Sequence, residues 1–439
     1  MRRLRCLRAG LPGRGDLLRG RRPGGVEGLL RRQREVLRRP RLARRCRQDG
    51  RDRQGRRVRR CARAAEPRPL STAVSGRLPD FPWDKLTGYA EQARAHPGGI
   101  VDLSIGTPVD PTPAVARQAL IDAADAPGYP LTVGVPEVRQ AVVEWLAGTH
   151  GVTGLGLDQV LPLIGSKELI ASLPTHLGLG PGDLIGYPEL AYPTYEVGAA
   201  LAGARALATD ALTAFGPETP KLLWLNSPSN PSGRVLPKEH LKKVVDWCRE
   251  RGVLLVSDEC YLDCVWEGEA YSALHPDICG GSSDGILIVH SLSKRSNLAG
   301  YRCAFVAGDR SVIAELLAVR KNLGLMMPAP QQHAMAAVLG DEAHVAEQHE
   351  RYRARRTRLR AALEAAGYTI DHSEASLYLW TTKGPDGPDC WQLVADLAAQ
   401  GILVAPGAFY GAAGSHHVRI ALTATDERID AAVERLTPA

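Results

Sequence analysis

Three clusters hold residue types that could do chemistry: Ser291-Leu292-Ser293-Lys294 with Arg302 eight residues further on, Val256-Ser257-Asp258-Glu259-Cys260-Tyr261, and Gly165-Ser166-Lys167. A lysine amine kept out of water is a nucleophile that can form an imine with a carbonyl and later move a proton. Arginine forks, hydroxyls and free backbone N–H groups at a helix start are what a phosphate dianion requires. A buried carboxylate can hold the proton of a ring nitrogen, and an arginine can grip a substrate carboxylate through two bonds. Taken singly, each cluster has a plain structural explanation. Most lysines are surface residues, a Gly-Ser pair before a helix is commonly an N-cap, and Asn230-Pro231-Ser232-Gly233 is a turn sequence. Their order along one chain is what makes them informative.

The elements that must position these residues point to an α/β fold. From Thr112 onward, helical patterns alternate with short apolar runs, which argues for βα units around a largely parallel sheet. Candidate strands are Leu222 to Leu225, Val253 to Val256, Ile286 to Val289 and Ala304 to Ala307, each the uninterrupted apolar run of a strand buried on both faces. Pro136 suits a first helical position, with Val138, Ala141, Val142 and Trp145 following at helical spacing, and Lys238 to Arg251 forms a second helix closed by Gly252. Ligands of such sheets sit beyond the carboxyl ends of strands, where the clusters above fall. Past Asn322 the pattern changes to a long charged helix, Glu342 to Ala366, a strand at Tyr378 to Thr382, a helix near Trp391 to Ala399, and strands near Ile402 and Val418. The chain therefore divides into 1–73, an arginine-rich leader; 74–110, an N-terminal segment joining the small domain; 111–324, the large domain; and 325–439, a small α+β domain.

Charge is distributed unevenly. The net charge is +7, but residues 1–70 hold 25 Arg against 6 Asp and Glu, or +19, leaving 7 − 19 = −12 for the rest. Residues 1–70 lack Lys, Ser, His and aromatic residues and have no sustained apolar stripe, so they should not fold alone. Their composition is that of a GC-rich reading frame upstream of the native start, with Val74 as a start if a GTG codon stands there; N-terminal sequencing that found leader residues would refute this. A nucleic-acid-binding arm and a Ser-rich amphipathic transit peptide fit less well. The nine cysteines show no C-x-x-C pair and no zinc-like clustering with histidine, so neither a disulfide framework nor a metal site is indicated, and a reducing cytoplasm suits the chain. No apolar stretch approaches membrane-spanning length.

From about Leu78 to the C-terminus, the chain resembles the class I/II aminotransferases of fold type I. Ser291-Leu292-Ser293-Lys294 followed by Asn297-Leu298-Ala299-Gly300-Tyr301-Arg302 is similar to that family's cofactor-lysine signature. The resemblance implies pyridoxal 5'-phosphate held by Lys294 as a Schiff base. Arg302, Ser291, Ser166 and Lys167 then serve its phosphate, Asp258 its ring nitrogen, Tyr261 and Asn230 its ring oxygen, and Tyr192 stacks on the ring face. Arg419 would take the donor's α-carboxylate, with Gly106 beside the substrate. Tyr129 resembles the tyrosine that reaches the neighbouring subunit's phosphate site, which implies a homodimer with shared sites and no nucleic-acid or membrane partner. One departure is Arg295, where a small or hydroxyl residue is expected; it adds charge near the site. Leu78 to Asp84, Asp102 to Pro111 and Ser257 to Tyr261 look like the N-succinyldiaminopimelate aminotransferases of actinobacterial type. The implied reaction moves the amino group of N-succinyl-LL-2,6-diaminopimelate to 2-oxoglutarate. Aspartate, methionine and aromatic donors stay open, since no motif identifies the distal pocket. Two other motifs are set aside: S-x-x-K lacks the S-D-N and K-T-G of penicillin-recognising enzymes, and Gly281 to Gly285, a G-x-S-x-G, precedes a strand where a nucleophile elbow follows one. A transcription regulator carrying an aminotransferase-like sensor would need a compact DNA reader that the leader does not supply.

Overall fold

The computed structural model describes residues 75–437; the leader and its start-site reading lie outside the described residues. The apolar runs become a seven-stranded sheet in the order Val160–Ile164, Cys303–Gly308, Ile286–Ser291, Leu254–Asp258, Leu222–Asn226, Leu184–Tyr187, Arg205–Ala208. All are parallel except Cys303–Gly308, which runs against both its neighbours. Side chains alternate between faces along a strand. Accordingly Leu255, Ile286, Ile288 and Phe305 enter one apolar cluster, and Val256, Leu287, Val289 and Val306 enter another on the opposite face. Covering helices on both faces explain why the strands carry no polar alternation. The three strands Val160–Ile164, Leu184–Tyr187 and Arg205–Ala208 are absent from the expected set, because Pro162 and Gly186 interrupt the first two runs and the last is largely exposed.

Register decides what meets at the sheet's edge. Asn226 aligns with Asp258, and Asp258 with Val289, so the carboxyl ends of three parallel strands lie side by side. The reversed strand pairs Ala304 with Ser291 and Cys303 with Ile164. Arg302, which enters that strand, is thereby set next to Gly165, which leaves Val160–Ile164.

A second, antiparallel sheet follows the order Ala405–Pro406, His417–Ala421, Tyr378–Thr382, Thr369–Ile370, with Trp380 opposite Arg419. Leu86, Ala90, Ala93, Val101 and Leu103 pack into its cluster, and Val101–Asp102 pairs in parallel with Ile402–Leu403. The helix Ala329–Leu339, assigned to the small domain by sequence, instead sends Met335, Val338 and Leu339 into the large sheet's cluster. The break in pattern after Asn322 marks a turn between helices, and a turn does not say which core the next helix joins. No helix among the described residues is long and apolar enough to cross a membrane.

Candidate active site

Lys294 lies in the four-residue helix Leu292–Arg295, which begins as the strand Ile286–Ser291 ends. Ser291 caps it, its Oγ accepting from Ser293 N at 3.3 Å, and Lys294 Nζ donates to the Gly106 carbonyl. A cavity of about 390 Å³ opens around that amine. It is lined by Gly106, Ser166, Lys167, Tyr192, Asn230, Asp258, Tyr261, Ser291, Lys294, Arg302 and Arg419, every site residue expected from sequence except Tyr129. Tyr129 lies apart, 97% exposed.

At one end, Gly165 has φ +97°, and a Cβ there would collide with the Arg302 guanidinium. Only glycine lets the arginine lie flat against the start of the helix Ser166–His176, where free N–H groups point outward. Arg302 NH1 donates to the Ala299 carbonyl at 3.0 Å. Guanidinium, helix terminus and the Ser166 and Ser291 hydroxyls form an anion cradle.

On the cavity floor, Asp258 Oδ2 accepts from Tyr195 Oη at 2.8 Å and Oδ1 from Cys260 N at 3.2 Å. Burial pushes this carboxyl above its ordinary range, against the lowering effect of those bonds, so a cation placed beside it would be needed to favour the charged form. The sequence motifs assign Tyr195 no role. Its spacing of three from Tyr192, across a helix start, is the available signal. Asn226, also outside the expected set, donates to the Asp258 carbonyl at 2.9 Å and accepts from Asn230 N at 2.8 Å, tying two loops together.

At the far end, Arg419 is 3% exposed. NH1 donates to Asn230 Oδ1 at 2.9 Å, NH2 to the Ser104 carbonyl at 2.7 Å, and Nε is buried without a hydrogen bond. The guanidinium lies over Tyr378, 3.9 Å from the ring centroid, and Tyr378 Oη meets Tyr261 Oη at 2.9 Å. Burial raises the Tyr378 phenol, but the positive charge of Arg419 and Lys294 and the bond to Tyr261 outweigh it and bring it down. No local pattern marks Tyr378, since only the pairing of Tyr378–Thr382 with His417–Ala421 brings it beside Arg419. Lys167 Nζ lies 5.7 Å from the Phe81 ring centroid on the wall that also holds Trp83 and Ile105. Arg295 does not line the cavity: its guanidinium is enclosed near Asp263 and Glu342, which offset the charge expected to disturb the site. Among the described residues, no His, Cys, Asp or Glu cluster could hold a metal.

The model of the family described as aminotransferase class I and II matches residues 99–436. A Mycobacterium tuberculosis protein named a probable aminotransferase is 56% identical over 413 residues, covering 92% of this chain and 98% of its own. The 4-dedimethylamino-4-oxo-anhydrotetracycline transaminase of Streptomyces rimosus is 55% identical over 360 residues, covering 82% of this chain and 99% of its own. Among solved structures, a probable N-succinyldiaminopimelate aminotransferase from Thermus thermophilus superposes with a TM-score of 0.72 at 31% identity, covering 81% of this chain and 99% of its own.

Proposed function

Because this chain belongs to the class I and II aminotransferases, a family dependent on pyridoxal 5'-phosphate, we propose that it transfers the amino group of N-succinyl-LL-2,6-diaminopimelate to 2-oxoglutarate, with Lys294 holding the cofactor. The observation that carries this reading is the convergence of Lys294, Asp258, Arg302 and Arg419, each delivered by a different strand, on one cavity. The donor set suits the group: a cradle at Gly165 that a Cβ would fill, a buried carboxylate without a cationic partner among the described residues, and a phenol pair.

When bound, the cofactor supplies a ring able to absorb the electron pair left when the donor loses its α-proton. Arg302, Ser166 and Ser291 would hold its phosphate, and Asp258 the proton on its ring nitrogen. Tyr192, which burial pushes up to about 12, stays neutral and offers an aromatic face. Tyr261 and Asn230 would meet its ring oxygen. Arg419 exchanges its bond to Asn230 or Ser104 for the donor's α-carboxylate, which orients the α-hydrogen toward Lys294 Nζ. Once the donor's amine has displaced it, the freed Lys294 amine would take that proton and return it one carbon away, with Phe81 and Trp83 keeping bulk water from the exchange. The support for a diaminopimelate-type donor is the Thermus thermophilus neighbour together with Lys167, a further cation on the cavity wall with no carboxylate partner among the described residues. The exposed run that includes Ile121, Tyr129 and Leu131 supports a homodimer in which Tyr129 completes the partner subunit's phosphate site.

A second reading has its own support. The Streptomyces rimosus relative is named for a polycyclic ketone, and Phe81, Trp83 and Ile105 would suit such a flat apolar acceptor. The test is to add N-succinyl-LL-diaminopimelate to the loaded enzyme without a keto acid and record its visible spectrum. Conversion to the pyridoxamine 5'-phosphate spectrum, reversed by 2-oxoglutarate, supports the first reading. No change with that donor, but conversion with another amine that a polycyclic ketone then reverses, supports the second.

A further inference from the structure

Arg295 follows the cofactor lysine, yet its side chain is 0% exposed. NH1 donates to the Val338 carbonyl at 2.8 Å and to Ser296 Oγ at 3.2 Å, and NH2 pairs with the Glu342 carboxylate. Nε stands 3.7 Å from Asp263 Oδ2, an ion-pair separation without a hydrogen bond. The guanidinium also lies 5.4 Å from the Trp145 ring centroid. Asp263 in turn faces His150 and His290, each at 3.4 Å. Burial would raise its carboxyl, but these two imidazoles outweigh that and hold it far below the usual range. The arginine thus meets a fixed negative charge.

A four-residue helix cannot hold its own direction, because one turn fixes several dihedrals for a single hydrogen bond. Leu292–Arg295 has Ser291 as an anchor at one end and Arg295 at the other. Val338 lies in the last turn of the helix Ala329–Leu339, and Glu342 precedes the helix Ala343–Ala365. The seam continues through Ser296 Oγ to His344 Nε2 at 2.9 Å and Asn297 Nδ2 to Gln348 Oε1 at 3.0 Å.

We propose that Arg295 is a positioning residue: by clamping the turn Leu292–Arg295 to the junction between these two helices, it aims Lys294 Nζ into the cavity. This rests on Lys294 being the cofactor lysine. Arginine is required because its planar fork reaches acceptors in different directions, which a lysine ammonium cannot do from one point. Loss of a merely structural contact would weaken every function of the site alike. Loss of a positioning contact acts on Lys294 and spares the phosphate cradle.

Two probes separate these outcomes on the full chain stripped of cofactor. Pyridoxal 5'-phosphate is captured covalently by Lys294; pyridoxine 5'-phosphate has the same phosphate and ring nitrogen but no aldehyde. In Arg295→Gln and Arg295→Lys, the Kd for pyridoxine 5'-phosphate should stay within about twofold of wild type, while covalent capture, followed by absorbance and by mass spectrometry after borohydride reduction, slows about tenfold. Glu342→Ala removes an acceptor whose side chain is 56% exposed, so the fold is kept, and capture should slow about threefold. Capture at the wild-type rate in Arg295→Gln, or equal loss of both probes, overturns the proposal. Should Arg295→Gln not fold, unchanged capture in Glu342→Ala overturns it. Absence of capture at Lys294 in the wild type removes the cofactor-lysine reading itself.

Discussion

At the scale of single residues, the chemistry rests on groups whose environment is already set before any substrate arrives. Lys294→Ala should retain a cofactor-shaped cavity but lose the proton carrier, and steady turnover should fall by about 10⁴-fold, measured with any accepted donor. Glu259 is a different case: a buried carboxylate beside the site whose Oε1 accepts from Ala273 N at 2.8 Å while Oε2 has no hydrogen bond. Burial pushes it up to about 7. A carboxyl raised on folding contributes stability that is fully present below its unfolded value of about 4.3 and is lost as pH rises through the folded one. Thermal melts from pH 4 to pH 8 should therefore show wild type losing stability relative to Glu259→Gln as pH rises, by on the order of a few kcal/mol across the window. Parallel curves would remove Glu259 as the titrating group. Lys294, Asp258, Arg302 and Arg419 were legible in sequence because their chemistry is carried by residue type and by place after an apolar run. Tyr378 and the role of Asn226 were not, since each acts through a neighbour distant in the chain.

At the scale of elements, the anion cradle depends on one reversed strand. Cys303–Gly308 pairs Cys303 with Ile164, and this alone brings Arg302 against Gly165. Gly165→Ala would strain a φ of +97° and push the guanidinium aside. The strain costs about 1 kcal/mol, and the displaced fork should cost more at the ligand, so pyridoxal 5'-phosphate affinity should drop at least about tenfold while Tm falls by only a few degrees. Cofactor titration followed by fluorescence checks this, and unchanged affinity would dismiss the cradle. Helices and buried strands were readable from periodicity: Lys238–Arg251 and Tyr378–Thr382 stand where the pattern places them. The direction of Cys303–Gly308 was not, because an apolar run buried on both faces reads the same either way.

At the scale of the whole molecule, Tyr129 tests whether the site is complete in one chain. It is 97% exposed and outside the cavity, with Ile121 at 67% and Leu131 at 57% nearby in sequence. Sedimentation should give twice the mass of one chain, and Tyr129→Phe should weaken cofactor binding several-fold without lowering monomer stability, as expected for one lost charge-assisted hydrogen bond to a phosphate. A monomer with full activity would refute shared sites. The sequence by itself determined the α/β class, the family resemblance and the residue types at strand ends, because these follow from local pattern and from chemistry that few side chains can perform. Tertiary structure decided the rest: which helix joins which core, how Arg295 is neutralised, and why Tyr195, Asn226 and Tyr378 attend the site. Those outcomes depend on register and on contacts between segments up to hundreds of residues apart, which no local pattern encodes.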